Sequence, residues 1–566
     1  MLFSLLLLAT SPFPAAPIPQ GTATVDTVFD VVDFPSPRTL AELPGPDGRV
    51  SFREAVIATN NTPGPQTVLF AIPQSEWWHQ TNMAVLRIET FGVEVLDDDT
   101  TLDFSSQTAF TGDTNPDGPE VGAFGIHTNF HLLPIVYLSG NHGTVKGLGT
   151  AWNRAAVEIT GGSGNRVIGC NSSTVEVGWP VPGGPTDTLI GGTGAGEGNV
   201  LRTVRIGCHA TDTVIVGNKL ENIWLSGSEF CARPERTRIG GPTPEERNVI
   251  SGFGSFGPEG VPEGQGIHID WAKDTVIEGN YIGVTPDGAA VAPNNGPLGI
   301  WVSDSMDTII RGNLIAGTRK VGINHYAGQV AGLSILLAAI GAHNDRVTIQ
   351  GNKIGTDASG LNPLLTHSGI RVHSGTGNYA CRNITIGGRA PREGNTIAFT
   401  ETFGVGISYP AISTEVSGNS IHSNGALGID LGPLAFLDGV TPNDSLDSDT
   451  GGGNEYQNFP RLAFVSRVGG AWFAKGVLRS EPNRPYRVEV FSSTEVDPTG
   501  YGQGERYLGE VTVMTDPMGR ATFMLPLLPG ARQDDWFSAT ATELGSLATS
   551  EFSRAIQAGP REAFPR

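Results

Sequence analysis

Gly266-Ile267-His268-Ile269-Asp270, followed six residues on by Val276-Ile277-Glu278-Gly279-Asn280, is the stretch on which the fold of this 566-residue chain turns. Strand alternation sends Ile267 and Ile269 to one side and His268 and Asp270 to the other. The closing apolar-x-Gly-Asn phrase recurs at Val214-Ile215-Val216-Gly217-Asn218, Ile310-Arg311-Gly312-Asn313, Ile349-Gln350-Gly351-Asn352 and Val416-Ser417-Gly418-Asn419, with a sister phrase Ile-Gly-Gly at Ile190, Ile239 and Ile386. Strands opening Gly-Ile or Gly-Val begin at Gly266, Gly299, Gly322, Gly369, Gly404 and Gly428; the steps 299 to 322 and 404 to 428 set a period near 23 residues, and the longer steps of 33 and 35 contain Gly/Pro-rich inserts such as Thr285-Pro286-Asp287-Gly288. Each strand carries two or three inward apolar residues, too few to bury alone, so the strands must stack coil upon coil in parallel, about 4.8 Å apart. Gly-Asn then reads as corner chemistry: Gly permits positive φ, and each Asn amide bonds the Asn of the next coil.

Composition agrees with an all-β solenoid: 77 Gly beside 38% hydrophobic residues suits many short strands and tight turns. A formal charge of -21 argues against nucleic acid or an anionic membrane as partner. Leu2 to Ala9 is apolar except for Ser4, with Ala15-Ala16 just beyond, the pattern of a signal peptide over 1–20. That run is too short to span a bilayer, so no transmembrane segment is expected in the mature chain. Ser51-Phe52-Arg53-Glu54-Ala55 has capping-box spacing and presents Phe52, Ala55 and Val56 on one side of a short helix, a lid for the open end of a solenoid. The capping segment is assigned to 21–75 and the β-helix to 76–460. From Arg461 clean two-residue alternation, as in Tyr486-Arg487-Val488-Glu489-Val490-Phe491, predicts a β-sandwich over 461–560, expected to serve attachment or spacing.

On these residues the chain resembles bacterial exported proteins with pectate-lyase-like right-handed β-helix repeats, which open with a Ser-Leu-Arg-Glu-Ala segment. Phe52 stands here where that segment has Leu, and the likeness continues through the Gly-Asn repeats to Gly428-Ile429-Asp430-Leu431-Gly432 and Asn458-Phe459-Pro460. The resemblance implies a right-handed coil, secretion or display at the cell surface, and an extracellular polysaccharide as partner. For a uronate lyase it implies acidic residues around Ca²⁺ with an Arg or Lys as base. Arg371 is the best base and Asp270 the nearest acid, and acidic members of the outward stripe look sparse.

Placing the Gly-Ile strands in register lines up outward residues Glu158, Arg205, His268, Trp301, Asn324, Arg371 and Asp430, with Asp270, Tyr326 and His373 two places further along. Aromatic rings stack on sugars and Arg pairs carboxylates, so this stripe is the candidate ligand-binding surface. A solvated sheet face is the plain alternative. Asp444, Asp447 and Asp449 in a Gly-rich run are the candidate Ca²⁺ ligands, with an acidic interdomain turn as the other reading. Cys208 and Cys231 are 23 residues apart, one coil, a spacing open to a disulfide or to two free thiols, whereas Cys170 occupies an Asn corner position and neither it nor Cys381 has an evident mate. Three functions remain open at this level: glycan binding without turnover, a polysaccharide lyase or glycoside hydrolase on uronate-containing polymers, and a stalk. Serine-hydrolase elbows, zinc helices and phosphate loops are missing from the sequence.

Overall fold

The computed structural model describes residues 21–34, 38–78, 82–116, 118–125, 134–150, 157–178, 183–254, 264–318, 333–374, 378–434 and 437–559. Residues 1–20, expected from the sequence to be a signal peptide, lie outside them. The chain is a right-handed parallel β-helix closed by an antiparallel β-sandwich. Its first face is a 13-stranded parallel sheet running from Gly21–Val25 to Thr414–Ser417. The second and third faces form one 21-stranded sheet, because strands such as Val200–Ile206 and Lys219–Ser226 bend around the corner between them. On the third face Gln265–Asp270, Leu298–Ser303, Leu333–Ala339, Ser368–Ser374, Val405–Ser408 and Ile429–Gly432 pair in succession.

Alternation builds the core as the sequence dictates. Ile267, Ile300, Ile335 and Ile370 form one inward file and Ile269, Val302, Leu337 and Val372 the next, all fully buried. At the corner after the first face, Gly279 adopts φ 68°, a conformation that an L side chain resists. There Asn199, Asn218, Asn248, Asn280, Asn313, Asn352, Asn395 and Asn419 make a continuous ladder. Each Nδ2 donates to the next Oδ1 at 2.9–3.1 Å. Cys170, at the head of this file, donates its backbone N–H to Asn199 Oδ1 at 2.8 Å. Because both ends of every amide are engaged, a polar file is buried without unpaired groups.

Two expectations are refined. The period is not uniform: stacked residues Glu158 and Glu176 are 18 apart, whereas Trp224 and His268 are 44 apart. Inserts leave the coil at corners and return, as where Val284 bridges Val291, so coil length varies while the register holds. The helix also begins before residue 76, since Gly21–Val25 already pairs with Gln66–Phe70. The capping helix Phe52–Asn60 lies between these two rungs. Its Ser51 Oγ accepts from Glu54 N at 3.1 Å, Glu54 accepts from Ser51 N at 2.9 Å, and Phe52 packs 5.5 Å from Phe104.

The sandwich, beyond any attachment role, closes the other end. Its sheets are Arg461–Val468, Ala471–Arg479 and Arg520–Pro526 against Arg506–Met514, Pro485–Ser493, Trp536–Glu543 and Ile556–Gln557. The last rung of a β-helix presents N–H groups with no following strand to receive them. Here Val416 N donates to Thr549 Oγ1, Gly418 N to Glu489, Ile421 N to the Gly504 carbonyl, Asn424 N to Gln503 and Leu431 N to Glu551. Arg487, buried, adds an ion pair to Glu415 at 2.6 Å.

Candidate functional site

The parallel register makes the outward file of the third face explicit. In rung order it runs Glu94, Tyr137, Glu158, Glu176, Arg205, Trp224, and then His268, Trp301, Leu336, Arg371, Gly406 and Asp430. A parallel file carries Ser226, Asp270, Ser303, Ala338 and His373 two places along each strand. Sequence reasoning placed Glu158, Arg205, His268, Trp301, Arg371 and Asp430 on the first file, and that is where they stand.

Asn324 and Tyr326 lie outside the described residues, and the rung expected to start at Gly322 is supplied by Leu333–Ala339, putting Leu336 and Ala338 at those positions. Gly322-Ile323 imitates the repeat, whereas Leu333–Ala339 is buried throughout and shows no alternation to read. Tyr137, Glu176 and Trp224 escaped notice for the reverse reason. Thr174-Val175-Glu176-Val177 and Asn222-Ile223-Trp224-Leu225 alternate well but lack the glycine opener. A search for alternation alone would have found them.

The middle of the file is a stack. Arg205 Cζ lies 5.7 Å from the Trp224 ring, Trp224 meets His268 edge-on at 5.6 Å, and His268 lies flat on Trp301 at 4.3 Å and 11°. Burial holds the His268 imidazole down at about 4, so it is neutral near pH 7. Trp224 Nε1, His268 Nε2 and Trp301 Nε1 have no hydrogen-bond partner, and neither do the acceptors Asn222 Oδ1 and Gln265 Oε1 beside them. Buried polar atoms are ordinarily satisfied, and these lie on a half-buried stripe within reach of solvent or of a ligand.

The upper end is acidic, against the expectation that carboxylates would be sparse. Glu158 and Glu176 are register partners on adjacent rungs, and Tyr137 precedes them. Burial and then the Glu176 charge raise Glu158 above the ordinary carboxylate range. Glu176 is held 3.5 Å from Arg205. Tyr137 is raised by burial and by Glu158.

The lower end is covered. Arg371, His373 and Asp430 are 5%, 4% and 6% exposed. Gly406 separates Arg371 from Asp430, and the space above it is taken by Leu437 and Phe403. Burial lowers Arg371, holds His373 at about 4 and raises Asp430 to about 6. Asp270, also raised to about 6 by burial, accepts from Ser303 Oγ at 2.7 Å. Asp270 and Arg371 are three rungs apart, about 14 Å along the axis, too far for a joint role at one bond.

Asp444, Asp447 and Asp449 come together with carboxylate oxygens within 4.8 Å of one another. Asp447 accepts from Asn458 N, Gln457 Nε2 and Ser480 Oγ, tying the loop to the sandwich, and burial raises it to about 7. Asp449 Oδ1 has no partner, so one oxygen and an uncompensated charge suit a hard cation there. Cys208 and Cys231 are bonded through sulfur with Cα atoms 5.8 Å apart, and Cys170 and Cys381 are free and buried.

No family model matches the chain, and no curated protein does. Among solved structures, the Dettilon tailspike protein is 11% identical over 95% of both chains, with a TM-score of 0.30. The enzymatically active domain of bacteriophage CBA120 tailspike protein 2 is 12% identical over 94% of this chain and 77% of that one, with a TM-score of 0.25. The A-module of the Azotobacter vinelandii mannuronan C-5 epimerase AlgE6 is 13% identical over 67% and 73%, at 0.23. Likenesses this distant assign neither a family nor an activity. Among the described residues, no helix is long and apolar enough to cross a membrane.

Proposed function

We propose that this is a secreted or cell-surface protein that binds extracellular polysaccharide along the third face of its β-helix, without turning it over. One observation supports this above the rest: Trp224, His268 and Trp301 form a stack on three consecutive rungs, with a ring nitrogen of each left unpartnered. Rungs repeat about every 4.8 Å, so a chain lying along the axis meets a ring at each step. Secretion rests on the apolar run Leu2 to Ala9, and kinship with the pectate-lyase-like exported proteins on the repeats and the Ser51–Ala55 segment. In this reading Ca²⁺ at Asp444, Asp447 and Asp449 stiffens the junction between helix and sandwich.

A hydrolytic reading has its own observation in Glu158 and Glu176. Adjacent rungs put the two carboxylates about 5 Å apart, the separation of a retaining glycosidase, and their surroundings differ, one raised by burial and the other beside Arg205. Affinity electrophoresis against a polysaccharide panel, with reducing ends and absorbance at 235 nm followed in parallel, separates the readings. Retardation without products, lost in Trp301→Ala, supports binding. Products that vanish in Glu158→Gln replace it with hydrolysis. Neither signal with any polymer leaves a stalk.

A further inference from the structure

The charge balance of the ridge, added to its unpartnered atoms, defines the kind of glycan it fits. Resting on the binding role proposed above, we infer that the third face takes a chain of uncharged sugars and excludes polyuronates.

The argument starts from donors and acceptors. Around the stack the unpartnered atoms are of both kinds: the indole N–H groups of Trp224 and Trp301 donate, and Asn222 Oδ1 and Gln265 Oε1 accept. Glu158 and Glu176 add carboxylate acceptors three and two rungs above Trp224, respectively. A hydroxyl both donates and accepts, so a neutral sugar satisfies both sets. A uronate carboxylate accepts only, and would present oxygens to the Asn222 and Gln265 carbonyls and to two glutamates.

Cations decide the rest. Arg205 is committed to Glu176 at 3.5 Å and to the face of Trp224. Arg371 is buried and faces Asp430, which lies two rungs on and shares its electrostatic environment. His268 and His373 are neutral near pH 7. Against these stand Glu94, Glu158, Glu176, Asp270 and Asp430 on the same face of a chain whose formal charge is -21. A polyanion entering here loses hydration and finds like charge, with no uncommitted cation on the ridge among the described residues. Burial first, and then the Glu176 charge, raise Glu158, and an anion placed beside it meets the same desolvation and the same like charge. The stacked rings present their edges and N–H groups outward, which suit the hydroxyls of neutral pyranoses, groups that carry no charge to desolvate.

The test is titration of the whole protein with dextran, glucomannan and arabinogalactan as neutral probes, and with polygalacturonate and alginate as polyanions, at 20 mM and 300 mM NaCl. The expected result is binding of at least one neutral polymer, changed less than twofold by salt and weakened at least tenfold in Trp301→Ala. Polyuronates are expected to bind at least tenfold more weakly at 20 mM salt, and Glu158→Gln/Glu176→Gln to narrow that gap. Polyuronate binding stronger than neutral binding, lost in Trp301→Ala, overturns the charge inference while leaving glycan binding on this face intact. Failure of every polymer to bind overturns both.

Discussion

Two files of side chains climb this molecule in the same parallel register, and they meet opposite fates. In the asparagine ladder every amide is spent inside the protein: Asn313 accepts from Asn280 N and Nδ2 and donates to Ile277, Arg311 and Asn352. In the ridge on the third face, Trp224, His268 and Trp301 stack as regularly, yet their ring nitrogens find no partner. Stacking itself is therefore not the mark of a site. What sets the ridge apart is where its unpaired atoms lie, on half-buried aromatic rings, whereas the file Thr188, Thr213, Thr237, Thr275 and Thr308 leaves its hydroxyls unpaired at 0–1% exposure, out of reach of any ligand.

The contrast breaks most sharply at Asn313→Ala. The substitution strands the Asn280 amide and two carbonyls in a corner that is 1% exposed, at a cost of about 1–3 kcal/mol for each group left unpaired. A loss of at least about 3 kcal/mol is expected in chemical denaturation, with glycan affinity of the folded fraction unchanged. A stability loss below about 1 kcal/mol would mean that the ladder is not what holds the coils.

Next in size is the pH response of the closed lower end. Glu551 accepts from Leu431 N and Thr441 N while buried beside Asp430, and burial raises it to about 8 from 4.5. The folded chain keeps a proton that the unfolded chain releases, so this group's contribution to stability is greatest below about pH 4.5 and is lost as pH rises toward about 8. Asp430 acts in the same direction up to about 6. The melting temperature is expected to fall from pH 5 to pH 8, and Glu551→Gln to flatten that slope. The ridge stack, whose His268 stays neutral, adds no slope of its own, and a change in glycan binding across the range reports the ionisation of Asp270 beside it.

On the open file, Trp301→Ala is expected to reverse the pattern of Asn313→Ala: at least tenfold weaker glycan retention, with a smaller change in denaturation midpoint. Equal effects on both measurements would make the stack merely structural.

These differences also explain what was legible in the sequence. The Gly-Asn repeats announce parallel coils because corner geometry tolerates few residues, and the burial of Ile267 and Ile269 follows from alternation alone. Rung order is less legible, since coils vary with their inserts and register is set by stacking, not by count. That is why Gly322 reads as a rung while Leu333–Ala339, buried throughout and without a glycine opener, does not. The acidic upper end depended on seeing that Glu158 and Glu176, 18 residues apart, are neighbours. Nothing local foretold that Thr549, Glu489, Gly504, Gln503 and Glu551 would end the helix, because capping groups come from a part of the chain with its own period.

At the junction, Ca²⁺ is expected to stabilise by about 1.4 kcal/mol when present at ten times its Kd. A Ca²⁺-dependent rise in melting temperature, absent in Asp449→Asn, is the measurement. A rise that survives the substitution would place the ion elsewhere.

The smallest effect is expected where polar groups pair in the open. Arg236 makes two bonds of 2.7 Å to Asp212, and Arg346 pairs with Asp307 at 2.6 and 2.8 Å, along the corner where the backbone turns through positive φ. The Arg236 hydrogen bonds hold Asp212 below its ordinary value, so this pair's contribution is present above the unfolded aspartate value and is lost as pH falls, opposite in sign to Glu551. Yet Arg236 and Asp212 are 49% and 43% exposed, and water and salt screen what they gain. Arg236→Gln is therefore expected to move the denaturation midpoint least of all these variants, and less still in 300 mM salt, with no change in glycan retention. A larger loss would mean that surface pairing, and not the buried amide ladder, carries the register. In that case the ridge could not be told from the rest of the surface by what it leaves unpaired.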